Sequence, residues 1–548
     1  MNANRVTWAR RLREAGDSAL LLELAPRIDA EVNALAIAIA SALRRAALPG
    51  VRDVVPTYRS VAVFFDPLHT MLESVTASLE DASDRPASVE RSRLTEVPVV
   101  YGGENGPDLP AVARYASMSE QEVVRRHAST TYRVFMLGFV PGFTYMGPVD
   151  ESIAAPRHPT PRARVLSGSV GIAGRQTAIY PQDIPGGWQI IGRTRVRLFD
   201  EARTPPSLFE AGDEVRFVPV PTLADTGPEL RAQPARDARP PEPAITVVRP
   251  GLLTTIQDLG RWGHQDRGVP VAGPMDPVSH RLANIVVGNH PEAATIEVTL
   301  LGPELRIERE IVLAVAGADL SATLDREMVK LNVPVRARPG SVLRFGDRRQ
   351  GARAYVGVAG GIDVRPVLGS RATHVPSAMG GFDGRPLAAG DRLGLGALAA
   401  APPVAAPQDA APSAGGARLR VLAGPQDDFF GPAAWHVLER SRFTVTPRSN
   451  RMAYRLAGGT IERTSDLEMI SDATFMGGIQ IPPAGDPILL MADRQTTGGY
   501  PQIATVITAD LPLAAQMAPG DSVEFTMCTR REALAALIGQ EGKLLAVR

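Results

Sequence analysis

From Val97 onward, short runs of aliphatic and β-branched residues alternate with turns built on Gly and Pro, and long helical periodicities become scarce. "SVGIAGRQTAIYP", "WQIIGRTRVRLF", "IVLAVAGADLSATL" and "ARAYVGVAGG" have this form. A chain punctuated so often cannot propagate helices, because Gly costs backbone entropy and Pro removes a hydrogen-bond donor. Strands at this density predict barrels. Residues 15–90 differ: strand-like "SALLLEL" and "SVAVFFD" flank the helical pattern "EVNALAIAIASALRRAA". The expected fold class is mainly β with α+β, a small N-terminal α+β domain followed by β-barrel modules.

Two stretches break the pattern. Residues 221–244 are rich in Pro and polar residues, and residues 397–417 form an Ala/Pro tract with almost no charge. Both read as linkers. They divide the chain into an α+β domain at 1–94, barrels at 95–220, 245–396 and 418–530, and a tail at 531–548. One turn recurs. "AGDEVRF" (211–217), "AGDRLGL" (389–395) and "PGDSVEF" (519–525) each place Gly-Asp before an alternating strand, with "PGSVLRF" (339–345) as a variant. Gly at positive φ and a capping Asp suit a tight strand entry. The repetition reads either as related barrels or as a common β-turn used several times.

Composition excludes several classes of partner. Lys plus Arg and Asp plus Glu are both 59, so no global field draws the chain to nucleic acid or an anionic membrane. The longest early apolar run, "ALAIAIASAL" (34–43), is too short to span a bilayer, and the start lacks a signal-peptide stretch. Cys528 is the sole cysteine, so no disulfide forms within the chain. A cytoplasmic protein with a small-molecule ligand is expected, and homo-oligomerisation is left open.

Aromatics make up only 5% of the chain, yet Phe135, Phe139, Phe143 and Tyr145 crowd into "RVFMLGFVPGFTYMG" (133–147). The reading is a core strand followed by a Pro141-Gly142 turn that presents Phe143 and Tyr145 to a pocket. His127, near the end of a helix capped by Ser119 and Glu122, is expected to share it. "APRHPTPRARV" (155–165) brings Arg157, Arg162 and Arg164 on extended backbone, and "YPQDIPGGWQIIGRT" (180–194) brings Gly186-Gly187 beside Trp188. Aromatic walls, fixed arginines and exposed glycine amides suit a small anion. Core aromatics with surface arginines produce the same pattern.

In the second half, Gln257, Asp258 and Arg261 surround a Gly turn, and "DPVSHRLANIVVG" predicts a helix capped by Asp276 with Pro277 first. Asn284 and Glu297 are polar positions in apolar surroundings, where a carboxylate must be paired or have a shifted pKa. The densest stretch places Asp493, Arg494, Gln495 and Thr497 before Gly498-Gly499-Tyr500, after the strand "PILLM". Such a loop can form an anion nest. There is no P-loop, no nucleophile elbow, and no His/Cys cluster for a structural metal.

These motifs resemble the Kip family, known also as the B and C components of the prokaryotic ATP-dependent 5-oxoprolinase. Residues 1–220 resemble the B component through "GFVPGFTYMG", "PRHPTPRARV", "SGSVGIAG" and "IYPQDIPGGWQIIGRT". Residues 245–530 resemble the C component through "GLLTTIQDLGRWG", "PMDPVSHRLAN", "SNRMAYRL" and "IQIPPAGDPILLMADRQTTGGYPQIATVITADLP". Pro274, Ala453 and His158 depart from the usual family residues. The resemblance implies a B–C fusion with cyclophilin-like barrels. It also implies opening of the 5-oxoproline lactam to glutamate, with ATP and Mg2+ as co-substrate and the 5-oxoprolinase A component, a separate chain, as partner.

Phosphorylating the unreactive amide oxygen creates a leaving group, a transfer that needs positioning and cationic stabilisation. His127, Arg162, Asp493 and Arg494 are the expected catalytic residues. Phe143, Tyr145, Arg157, Gly186, Gly187, Trp188, Gln257, Asp258, Arg261, Asn284, Gln495, Thr497, Gly498, Gly499 and Tyr500 are the expected binding residues. No resident metal is expected. Two rival roles come with the same family: the carboxyltransferase part of a urea carboxylase, and a sensor-kinase inhibitor joined to its antagonist.

Overall fold

The computed structural model describes residues 11–86, 92–223, 242–397, 401–406, 415–464 and 469–547. The N-terminal unit is a four-stranded sheet in the order Arg11–Glu14, Ala19–Glu23, Ser60–Phe65, Val51–Pro56. Helices Ala30–Ala46 and Leu72–Asp84 cover one face. Asp29 starts the first helix by accepting the N–H groups of Glu31 and Val32. Side chains alternate across a strand. Leu20 and Leu22 therefore meet the helical Val32, Ala36 and Ile39, whereas Ala19 and Leu21 meet Ala473 and Phe475 from the far end of the chain. That two-sided burial explains the unbroken apolar run.

Two seven-stranded barrels follow, both closed. The first runs, around its circumference, Leu94–Tyr101, Gln189–Arg193, Ser169–Ala173, Gln176–Ile179, Thr144–Gly147, Thr131–Leu137 and Glu214–Pro219. The second runs Gly416–Ala423, Gln502–Val506, Gly478–Gln480, Ile488–Leu490, Ala453–Ala457, Phe443–Val445 and Ser522–Met527. Ranked by position in the chain, the strands occur in the same circular order in both. Each barrel pairs its first and last strands in parallel. Each also carries a two-stranded ribbon, Arg162–Val165 with Ile184–Gly186 and Asp472–Ala473 with Thr497–Gly498, inserted at equivalent points.

The recurring Gly-Asp turn has one geometry. Gly212, Gly390 and Gly520 take φ of 101°, 89° and 93°, as does the variant Gly340 at 85°. Asp213, Asp391 and Asp521 each accept the N–H three residues earlier, from Glu210 (3.0 Å), Ala388 (2.7 Å) and Ala518 (2.8 Å). In both barrels this turn feeds the closing strand.

Residues 245–396 depart from the expected barrel. They form a seven-stranded and a five-stranded sheet that share one core, with Ile245, Val247 and Leu305 from one meeting Ile256, Ile296, Val315 and Val356 from the other. Helix Pro277–Val286, capped by Asp276 on the Ser279 N–H (2.9 Å), covers the other face of the smaller sheet through Leu282, Ala283 and Val286. A sheet covered on both faces needs apolar residues at every position, which accounts for "IVLAVAGAD".

Residues 224–241 of the first linker, and 398–400 and 407–414 of the second, lie outside the described residues. Residues 401–406 pack on the C-terminal half, Val404 and Ala406 donating to the Val286 and Asn332 carbonyls. The expected tail is largely the helix Arg530–Leu545. A reciprocal Thr529–Glu532 capping box starts it, and Ala533 and Leu537 pack against Ile507 and Ala509. Among the described residues no helix is long and apolar enough to cross a membrane.

Candidate functional site

The aromatics of the first barrel's mouth converge on the seam with the second. Strand Thr131–Leu137 runs into the 138–143 loop, where Gly142 takes φ 78°. Gly138 lies so close to Thr497 that a Cβ would fall 2.2 Å from its Oγ1. Phe135, Phe143, Tyr145, Tyr180 and Trp188 form one buried cluster, joined by Tyr58 from the N-terminal sheet. The Phe143 ring lies 4.9 Å from Tyr145, 5.4 Å from Tyr180 and 5.8 Å from Trp188, all edge-to-face. Arg157 stacks over Trp188 at 5.9 Å.

Phenol groups supply the polarity here. The Tyr58 hydroxyl is buried without a hydrogen-bond partner. Burial, then the neighbouring Tyr145, raises its pKa well above the ordinary value, so it stays a neutral O–H donor. Burial also raises Tyr145, whose hydroxyl lies against Thr497. Neutral donors beside a stacked guanidinium can bind a carbonyl or carboxylate oxygen. Tyr58 and Tyr180 were not among the expected residues. Tyr58 sits in the short "PTYRS" connection between two strands, and its placement at a remote seam leaves no local trace.

At the rim, Arg162 is held by Asp108 (2.6 Å), which also accepts the Ile190 N–H (2.7 Å) and lies 3.3 Å from His158 Nε2. The His158 N–H donates to the Gly187 carbonyl at 2.7 Å. Gly186 is tight, since a Cβ would meet the Tyr180 hydroxyl at 2.4 Å, whereas at Gly187 nothing lies within 3.6 Å. Gly498-Gly499-Tyr500 is the counterpart in the second barrel, following the equivalent ribbon strand. Gly499 is open there and Tyr500 is 43% exposed.

Other expected residues lie elsewhere. His127 is in the first barrel's core, stacked on Phe217 at 4.7 Å, with Nδ1 on the Tyr101 hydroxyl (2.8 Å) and Nε2 on Thr177 (3.0 Å). Burial lowers its pKa to about 3. With both nitrogens engaged it does not share the aromatic pocket. Gln257, Asp258 and Arg261 secure the 367–373 loop: Gln257 donates to Thr373 O (3.1 Å), Asp258 accepts from Ser370 (2.6 Å), and Arg261 donates to Val367 O (2.9 Å) and Ala372 O (2.8 Å). Asn284 donates to the Ala293 carbonyl at 2.7 Å. These are structural ties.

The 493–500 loop divides in two. Asp493 binds Arg451 through both oxygens at 2.9 Å, and Arg451 also binds Glu297, which accepts the Tyr355 hydroxyl at 2.7 Å. Burial opposes the Arg451 charge, but Asp493 and Glu297 more than offset this and hold its pKa above the ordinary value. Arg494 is 4% exposed and donates to Thr474 O (3.3 Å) and Gln265 Oε1 (3.1 Å). Both anchor the loop from beneath. Gln495, whose carbonyl accepts from Thr474, leads into Thr497 and the Gly-Gly turn at the seam.

A cleft of ≈1040 Å3 opens on the other side of the 138–143 loop, between the first barrel and residues 377–379 of the C-terminal half. Pro141, Arg193, Arg195, Arg197, Phe199 and Met379 are among its walls.

Two like barrels meet along this seam, which brings motifs of the N-terminal half beside motifs of the C-terminal half. Residues 10–209 match the family "Carboxyltransferase domain, subdomain C and D", and residues 267–527 match "Carboxyltransferase domain, subdomain A and B". The C-terminal half is 38% identical to the C component of the Escherichia coli 5-oxoprolinase, over 54% of this chain and 95% of that protein. The N-terminal half is 39% identical to the B component of the Bacillus subtilis 5-oxoprolinase, over 38% of this chain and 91% of that protein. The urea amidolyase of Saccharomyces cerevisiae is 34% identical over 52% of this chain and 16% of its own length. The solved structure of TTHA0988, 37% identical, superposes with a TM-score of 0.84 over 93% of this chain and 99% of that one. The chain therefore belongs to the Kip family of carboxyltransferase-domain proteins, as a fusion related to the B and C components of 5-oxoprolinase and to urea carboxylase, and it is homologous to the enzymes of that family.

Proposed function

We propose that this chain is the B–C component of a cytoplasmic ATP-dependent 5-oxoprolinase, with cyclophilin-like barrels, acting with a separate A component. The observation that carries this reading is the close packing of Gly138 on Thr497, where a Cβ would fall 2.2 Å from the Thr497 Oγ1, which puts the motifs of both halves on one seam. There Tyr58 and Tyr145 are the phenol donors for the lactam carbonyl, and Arg157 balances the substrate carboxylate. Trp188 and Phe143 exclude water from the ring. Transfer of the ATP γ-phosphoryl group to the amide oxygen releases ADP and makes that oxygen a leaving group; water then adds to the carbon, the ring C–N bond breaks, and a second water releases phosphate to leave glutamate. The chain's own part is to orient the lactam, donate hydrogen bonds to its oxygen and offset charge.

The similarity to urea amidolyase supports a second reading, a carboxyltransferase taking its carboxyl group from a biotin carrier. One assay separates the two. With 5-oxoproline, ATP and an A component from the same source, the chain is expected to produce glutamate and ADP in equal amounts, and nothing when alone. Glutamate from the chain alone would refute the division of labour. Carboxylation of urea in a parallel reaction with biotin-carrier components, without glutamate, would establish the second reading instead.

A further inference from the structure

We infer that the cleft between the first barrel and residues 377–379 binds a nucleoside triphosphate, with its phosphates on Arg193, Arg195 and Arg197. The inference rests on the ATP dependence proposed above and adds where the nucleotide sits. Size is the first argument. Pockets of about 300–1,000 Å3 enclose ligands the size of a drug or nucleotide, and a lone lactam would leave most of ≈1040 Å3 to water.

Chemistry is the second argument. Three arginines on five consecutive residues line the cleft, and the guanidinium fork is the side chain best matched to phosphate oxygens. Their segment is held rigidly. The Arg193 Nε donates to the Ser167 carbonyl at 2.9 Å, the Thr194 N–H donates to the Gly168 carbonyl at 2.9 Å, and the Gly168 N–H donates to Tyr180 O at 2.7 Å. Gly168, at φ 80°, lies so near Thr194 that a Cβ would be 2.0 Å from its carbonyl oxygen. Asp200 and Glu201 also line the cleft, each near an arginine of its own, Arg197 at 3.6 Å and Arg365 at 3.8 Å. The Phe199 ring, Pro141 and Met379 offer an apolar wall for a base.

Position is the third. Pro141 and Phe143 lie on one short loop, so the cleft and the aromatic cluster share a wall. A terminal phosphate in the cleft therefore lies one loop away from the aromatic cluster that holds the lactam in the reading above.

The test is calorimetric titration of the whole chain with Mg-ATP, tripolyphosphate and adenosine, comparing wild type, Arg195→Glu/Arg197→Glu, and Arg175→Glu, an exposed arginine outside the cleft lining. The expected result is Mg-ATP binding that weakens at least 10-fold in the double variant, with an unchanged melting temperature and no change in Arg175→Glu. Tripolyphosphate should bind more weakly than ATP but lose affinity in parallel, which places the phosphates on the arginines. Binding of Mg-ATP that the double variant leaves intact would overturn the location and spare the ATP dependence. Failure of the chain to bind Mg-ATP while glutamate still forms with the A component would overturn it too, by moving the nucleotide to that component. Absence of both binding and glutamate formation would refute the proposed function itself.

Discussion

Arg451 and Arg494 lie under the same loop in opposite electrostatic situations. Arg451 has two carboxylates, and removing it strands Glu297 and Asp493 as buried charges. Breaking such a buried network typically costs about 3–5 kcal/mol. Arg494 has only neutral hydrogen-bond partners, and burial lowers its pKa to about 10 despite the nearby Asp53. Losing it forfeits two hydrogen bonds, roughly 1–3 kcal/mol. Thermal melts of Arg451→Ala and Arg494→Ala should both shift down, the former further. Arg494→Ala should keep most activity at a temperature where it is folded. A near-native melting temperature with abolished turnover would show that Arg494 takes part in the chemistry, as its sequence position suggests.

Asp53 adds a pH dependence. It accepts the Gly263 and Gln265 N–H groups at 3.1 and 3.2 Å, yet burial, then the Asp266 charge, pushes its pKa up to about 6. Between the ordinary aspartate value and about 6, the folded state holds a proton that the unfolded state has released. Its contribution to stability is therefore complete at low pH and lost as pH rises through 6, about 3 kcal/mol at most. Asp53→Asn, which cannot ionise, should melt higher than wild type at pH 8, with the gap closing towards pH 4. A gap independent of pH would show that Asp53 does not titrate this way.

Among the secondary elements, the paired ribbons make a contrast that can be measured. At Gly186 a methyl group would strike the Tyr180 ring, and overpacking of this kind costs typically about 1–3 kcal/mol. At Gly187 the same methyl meets only ordinary contacts. Gly186→Ala should lower the melting temperature and Gly187→Ala should not, and equal effects would contradict the packing described at the rim.

The same scale shows what a reader of the sequence can reach. The Gly-Asp turns were legible because positive φ and an Asp closing its own turn are local requirements. The Asp276 cap and the Ser119 cap were legible for the same reason. The two sheets of 245–396 were not, since a strand buried on both faces reads alike in a barrel and in a covered sheet. The placement of the expected site residues divides similarly. Phe143, Tyr145 and Trp188 stood out as clustered aromatics. The fates of Asp493, Arg494 and His127 depend on Arg451, Gln265 and Tyr101, distant partners that local patterns do not name.

For the whole molecule, the halves meet through buried polar contacts as well as the aromatic seam. Asp17 accepts the Thr508 hydroxyl at 2.6 Å, Ser60 donates to Asp472 at 2.5 Å, and Gly142 N–H donates to Arg267 O at 2.9 Å. A protease site introduced within 221–244 should therefore yield two fragments that co-elute at micromolar concentration. Separate elution would mean that the covalent link, rather than the seam, holds them together.

The outer face of the N-terminal sheet has a consequence for how the chain is made. Ala19, Leu21 and Phe64 find their cover in Ala473 and Phe475. A ribosome adds roughly 5–20 residues per second, so the first barrel can close on Glu214–Pro219 while that face stays bare for tens of seconds, on the order of the time needed to reach Phe475. An apolar sheet surface exposed for that long is what a chaperone binds and what nascent chains stick to. In a two-gene arrangement the same surface would meet its cover only by diffusion; fusion sets the interval by the length of a single message.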